Sequence, residues 1–141
     1  MAMYTITRAC GHTETHNITG PIKNRRARAE RMEEKRCFAC ENAAKTEQAA
    51  AETTDLPALT GSEKQIAWAT TIRAEAVKAA RAAVEMAREK YDTATADMAN
   101  NRAKALEGIT SAKFWIDNRE TNNHPHAGAM WMGVAHKHKG E

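Results

Sequence analysis

Three cysteines and one histidine constrain this chain more than anything else in it. Cys10-Gly11-His12 puts two metal-competent side chains within three residues, and Cys37-Phe38-Ala39-Cys40 puts two more within four, so every cysteine falls in one of the two pairs. Thiolates three residues apart reach one ion from a single turn, and a second pair brought in from elsewhere completes the tetrahedron that Zn²⁺ accepts without electronic preference. Cys10, His12, Cys37 and Cys40 are therefore the expected ligands of a structural zinc ion. His16 competes for the fourth position, but it falls further along what reads as a strand, and His12 is preferred. A lone Cys-x-x-Cys also serves redox chemistry. No βαβ pattern accompanies this one, and four protein donors leave no open coordination position for catalysis. Cysteines confined to metal-like spacing point to a reducing compartment rather than a disulfide framework.

The residues around the ligands read as a small module spanning residues 1–42. Residues 4–8 and 13–18 alternate in strand fashion, and Gly11 between them has the backbone freedom a tight turn needs. A hairpin with the first ligand pair at its tip follows. Gly20-Pro21 ends the second strand and opens a helix, because proline suits the first helical turn. Residues 22–36 are rich in helix formers and return the chain to Cys37. The expected core of the module is Ile6, Ile18, Ile22, Met32 and Phe38, too thin to hold without metal. The net charge of +3 gathers here: residues 1–40 carry eight Lys/Arg against four Asp/Glu, the remainder thirteen against fourteen. Arg25, Arg26 and Arg28 on the helix suit phosphate contacts. The same helix carries Glu30, Glu33 and Glu34 at salt-bridge spacing, which equally describes a solvated face. No interleaved aromatics of the kind that stack bases are evident, which counts against single-strand binding.

The rest of the chain reads as helical. Residues 43–59 have no large anchor before Leu56-Pro57-Ala58-Leu59 and read as a linker, with a helix over 41–55 as the alternative. Residues 60–120 read as a helical region and residues 121–141 as a tail that contact with something could order. Thr60 with Glu63, or Ser62 with Gln65, fits the reciprocal capping pattern of a helix start. From residue 62 to 107 there is neither glycine nor proline. One unbroken helix of roughly 65–70 Å is the preferred reading, with a break near Tyr91-Asp92-Thr93 as the alternative. Val77, Val84, Tyr91, Met98 and Ala105 recur every seven residues, with Ala80, Ala87 and Ala94 three residues on. That thin seam would allow a homodimer through the long helix. Thr110-Ser111 caps a short helix over residues 112–119 carrying Phe114, Trp115 and Ile116, whose natural partner surface is Ile66, Trp68 and Ile72. Trp68 and Trp115 read first as core residues and second as contacts for a partner. The His124/His126 and His136/His138 pairs read as polar tail residues.

Aromatics are only 5% of the chain and alanine dominates its apolar share, so thin helix packing is expected. The expected fold class is mainly α, with a small N-terminal zinc-stabilised hairpin and helix, then a long helix and a short amphipathic one. No apolar run approaches the roughly 20 residues of a membrane span, and no charged start and apolar stretch suggests a signal peptide. The cytoplasm of a bacterial host is the expected location. There is no Gly-rich phosphate loop, Ser/His/Asp set or paired carboxylates in a cleft, and the chain is read as non-enzymatic.

The Cys-Gly-His and Cys-x-x-Cys module resembles small proteins of phages and mobile elements when taken with two later stretches. These are Leu56-Pro57-Ala58-Leu59-Thr60-Gly61-Ser62-Glu63-Lys64-Gln65-Ile66-Ala67-Trp68-Ala69 and Ser111-Ala112-Lys113-Phe114-Trp115-Ile116-Asp117-Asn118-Arg119. The resemblance covers most of the chain outside the tail. Zinc-containing inhibitors of RNA-guided nucleases (anti-CRISPR proteins) are one class among such proteins, and this chain is similar to them in size and in its metal-pinned head. The resemblance implies a protein partner, an RNA-guided nuclease, that is occluded rather than modified.

Overall fold

The computed structural model describes residues 2–139. The chain divides into two compact units, Met1–Lys45 and Thr46–Glu141, here called the head and the body.

In the head, β1 (Ala2–Thr7) and β2 (Thr13–Ile18) form an antiparallel pair in which Tyr4 faces His16 and Ile6 faces Glu14. Alternation along the strands sends Tyr4 and Ile6 to one face, where α1 (Ile22–Glu33) covers them. Ile6, Ile18 and Ala29 are buried there, with Tyr4 and Met32 half-buried beside them. The expected core is corrected at two positions: Ile22 is 74% exposed and Phe38 is 76% exposed. Ile22 shares the helix side of Ala29 but lies two turns nearer the N-terminus, outside the cluster. Phe38 is turned outward by the spacing of the clustered cysteines on either side of it. A polar clasp reinforces the small core. Arg8 donates from Nε to Glu14 at 2.9 Å and from Nη1 to the Met32 carbonyl at 3.0 Å, which ties both strands to the end of α1.

The next helix, α2 (Phe38–Glu52), corrects the linker expected at residues 43–59 to the helical alternative over residues 43–52 and leaves only residues 53–59 of that linker. Its alanines carry high helix propensity even where they bury little, and only Ala49 is buried.

The body is organised on α3 (Glu63–Lys90), a helix of about 42 Å at 1.5 Å per residue. Of the two capping pairs, Ser62 with Gln65 forms: Ser62 Oγ accepts from the Gln65 N–H, and Gln65 Oε1 accepts from the Ser62 N–H. The helix ends at Lys90. Tyr91 and Asp92 are extended, and Asp92 caps α4 (Thr93–Glu107) by accepting from the Thr95 N–H at 2.9 Å. The single long helix is thereby corrected to the broken alternative. The reason is burial: Val77, Ala80, Val84 and Ala87 are covered by the body's own helices, while Tyr91 and Met98 remain exposed, so the seven-residue stripe stops at the break. Only the first half of the seven-residue seam, Val77, Ala80 and Val84, packs inside the body.

Thr60 and Ser111 then pair as a parallel bridge beside the start of α5 (Ala112–Asp117), which Ser111 caps. A 3-10 turn (Arg119–Asn123) leads to α6 (Ala127–Lys139), which corrects the tail expected at residues 121–141 up to residue 139, the last two residues lying outside the described ones. Trp131 is fully buried and donates from Nε1 to Asn122 Oδ1 at 2.7 Å, and its ring lies 5.2 Å from that of Trp115. Gly128 lets α6 close on α3, since a Cβ there would stand 2.3 Å from the Ala79 carbonyl oxygen. Arg73, 3% exposed, donates to the carbonyls of Pro57 and Glu107 at 2.7 and 2.9 Å, and so caps the end of α4. No helix among the described residues is long and apolar enough to cross a membrane.

Candidate metal centre

The hairpin turn and the start of α2 bring the donors together. Within the turn, the Arg8 N–H donates to the His12 carbonyl and the Gly11 N–H to the Arg8 carbonyl, both at 2.8 Å. Gly11 sits at φ 84°, a left-handed conformation that suits glycine, and this tight turn points Cys10 and His12 to one place. The Ala9 N–H donates to the Lys35 carbonyl at 3.0 Å, which fastens the turn to the segment just before Cys37. Cys37 immediately precedes α2 and Cys40 lies in its first turn, so both sulfurs come from one turn of chain.

The donor atoms of Cys10, His12, Cys37 and Cys40 all lie within 4.8 Å of one another. His12 Nδ1 is 3.4 Å from the sulfur of Cys10, 3.6 Å from that of Cys37 and 3.3 Å from that of Cys40. Tetrahedral zinc, with bonds of about 2.3 Å to sulfur and 2.0–2.1 Å to nitrogen, sets its ligand atoms about 3.5–3.8 Å apart. The geometry and the chemistry of the donors fit a metal ion such as zinc. Two backbone amides support the sulfurs: the Cys37 N–H donates to Cys10 Sγ and the Cys40 N–H to Cys37 Sγ.

Electrostatics of the cluster favour the same conclusion. Amide donation from Cys37, then from His12, pulls the Cys10 thiol down to about 6. Cys40, against the sulfurs of Cys37 and Cys10 and partly desolvated, is pushed up to about 11. Without a cation the thiolate is favoured at Cys10 and opposed at Cys40. A dication removes that conflict, because the bound metal is the largest local charge and deprotonates its thiols.

The other candidates fall in different places. His16 is engaged elsewhere, with Nε2 at 2.9 Å from Glu14 Oε2 and 3.3 Å from Arg8 Nη2, and it is not a member of the cluster. Those partners, His16 first and then Arg8, hold the Glu14 carboxyl below its ordinary range. Arg25 is half-buried with an unpartnered Nε, Arg26 pairs with Glu30 at 3.3 Å, and Arg28 is exposed. Trp68 is 51% exposed, with the Arg119 guanidinium 5.4 Å from its ring centroid. Trp115 is fully buried, edge-on to Phe114 and donating to the Ile109 carbonyl, so it belongs to the core and not to a contact surface. Sequence reasoning missed the exposure of Phe38, although the Cys37/Cys40 spacing signalled it. Ligands at i and i+3 share one side of a turn, and the residue at i+1 is rotated about 100° away. Comparison of the chain with protein-family models, curated proteins and solved structures returned no match.

Proposed function

We propose that this chain is a non-enzymatic binding protein whose N-terminal head is held in shape by a zinc ion. The observation that carries the reading is the convergence of one imidazole nitrogen and three sulfurs within 4.8 Å. Four protein donors fill a tetrahedron, which gives the metal a folding role and leaves no position for substrate.

The finer reading is a mobile-element protein, working in the cytoplasm of a bacterial host, that binds an RNA-guided nuclease and blocks its use of target DNA. Two things support it: the resemblance of the motif stretches to such proteins, and an exposed Trp68 carrying Arg119, residue types that dominate binding energy at protein interfaces. The test mixes zinc-loaded chain with assembled effector nucleases and follows complex formation by gel filtration and target cleavage by electrophoresis. A stable complex with lost cleavage is expected, both weakened by Trp68→Ala. Full cleavage and no complex with every effector would remove the nuclease reading and leave the metal-held head standing.

A second reading, a small nucleic-acid-binding regulator using α1, is favoured by Arg28, which forms no ion pair among the described residues.

A further inference from the structure

Phe38 is exposed, as are Arg28, Arg31, Lys35 and Arg36 before it, and neither the small core nor the metal centre uses any of them. We propose that the head binds single-stranded nucleic acid, with Arg28, Arg31, Lys35 and Arg36 on phosphates and Phe38 stacked on an unpaired base. This deepens the nucleic-acid reading above and rests on the metal-held head. It revises the sequence expectation against single-strand binding, because Phe38, expected in the core, is an exposed ring beside the cations.

The first argument is charge left free. Residues 23–36 carry seven Lys/Arg and three Glu. Among the described residues only Arg26 and Glu30 of this segment pair within 4.0 Å. Arg28, Arg31, Lys35 and Arg36 are exposed and form none. Helix geometry explains why for Arg28, since Glu30, Glu33 and Glu34 all lie at least about 120° round the helix from it. Arg31 stands one turn before Glu34 and still forms no ion pair within 4.0 Å among the described residues. Lys35 and Arg36 follow in the turn that leads to Cys37. The head as a whole holds nine Lys/Arg and five Asp/Glu, the body twelve and thirteen, so the excess lies beside this surface.

The second argument is the aromatic ring. Phe38 is 76% exposed and sits between two metal-facing cysteines, in a turn that the donor set and the Ala9–Lys35 hydrogen bond hold fixed. Lys35 and Arg36 precede it by at most three Cα steps, about 11 Å of chain. A rigidly presented ring loses little freedom on binding. A phosphate-binding segment joined to an exposed aromatic is the combination by which proteins hold single strands, since every base offers a face to stack on. A duplex keeps its bases stacked on each other and offers this ring nothing.

The test uses the full zinc-loaded chain and a fluorescent oligothymidylate of about 12 nucleotides, followed by anisotropy from low to moderate salt. Log affinity is expected to fall with log salt at a slope of about −2 to −3, at about −0.7 per neutralised phosphate. Phe38→Ala should weaken binding about five- to a hundred-fold, with the slope and the zinc content unchanged. Arg28→Gln with Arg31→Gln should flatten the slope by about 1.4. A hairpin duplex, polyglutamate and phosphatidylserine vesicles serve as competitors. Equal affinity for the duplex with no effect of Phe38→Ala overturns the proposal, and so does preference for polyglutamate or vesicles, which would assign the surface to an acidic protein or a membrane. Zinc content separates the two readings. One zinc per chain with no strand binding overturns this proposal alone, whereas strand binding that persists after chelation overturns the metal-held head and the stacking geometry resting on it.

Discussion

The head buries Ile6, Ile18 and Ala29 and little else of any size, whereas the body encloses Ile72, Val84, Leu106, Phe114, Trp115 and Trp131 in one cluster. The head compensates with directed polar bonds: the Arg8 clasp, the Ala9–Lys35 hydrogen bond, and four donors at one point. The body has an apolar interior with conventional caps at Ser62, Asp92 and Ser111. Apolar burial scales with area and survives the loss of any one group in part. A shared metal point does not, because its ligands have no other reason to meet. The two units should therefore fail under different insults.

The largest expected effect is removal of the metal that the four donors are proposed to hold. An apparent binding free energy of about 10–16 kcal/mol is typical of structural zinc in small modules, more than so small a core replaces. Chelation, or Cys37→Ser, should abolish hydrogen-exchange protection across β1 and β2, while amides of α3 to α6 keep theirs. A hairpin that stays protected in the metal-free chain would break the comparison between the units.

Next in size is a cavity in the body. Trp131→Ala removes a fully buried ring and its hydrogen bond to Asn122, a side chain that also donates to the Ile72 carbonyl. A loss of about 3–5 kcal/mol is expected, read as a lower midpoint for thermal unfolding of the body. Zinc content of the folded head should stay at the wild-type value. Loss of zinc in this variant would show that the two units do not stand independently.

What could be read from the sequence was local, and what could not was long-range. The four ligands were legible because sulfur and imidazole at short spacing have few other uses, and the Ser62–Gln65 and Ser111 caps because each is closed within four residues. The break after Lys90 was not, since residues 91–93 are locally compatible with either a continuing helix or a cap. Burial of Val84 in the body's cluster decides it. The last helix was hidden for a related reason. Gly128 and Gly133 lower its propensity, and the need for glycine at 128 becomes visible only with Ala79 packed against it. Phe38 shows a different failure: hydrophobicity assigns it to the core, whereas the cysteines on either side fix its direction outward.

The smallest effect concerns the break itself, and it sharpens the comparison because it touches the body through a surface polar bond. Donation from the Thr95 hydroxyl, then from its backbone N–H, holds the Asp92 carboxyl below its ordinary 3.8. A carboxyl whose folded value is depressed stabilises the fold fully above its unfolded value, and that contribution fades as pH falls through the folded one. The difference in unfolding midpoint between wild type and Asp92→Ala should therefore be constant from pH 7 to about 5 and shrink below about 4. It should also be smaller than that of Trp131→Ala throughout, since an exposed cap is worth less than a buried ring. A gap that already closes between pH 7 and 5 would mean that a different group governs the turn, and that the body depends on surface electrostatics as the head does.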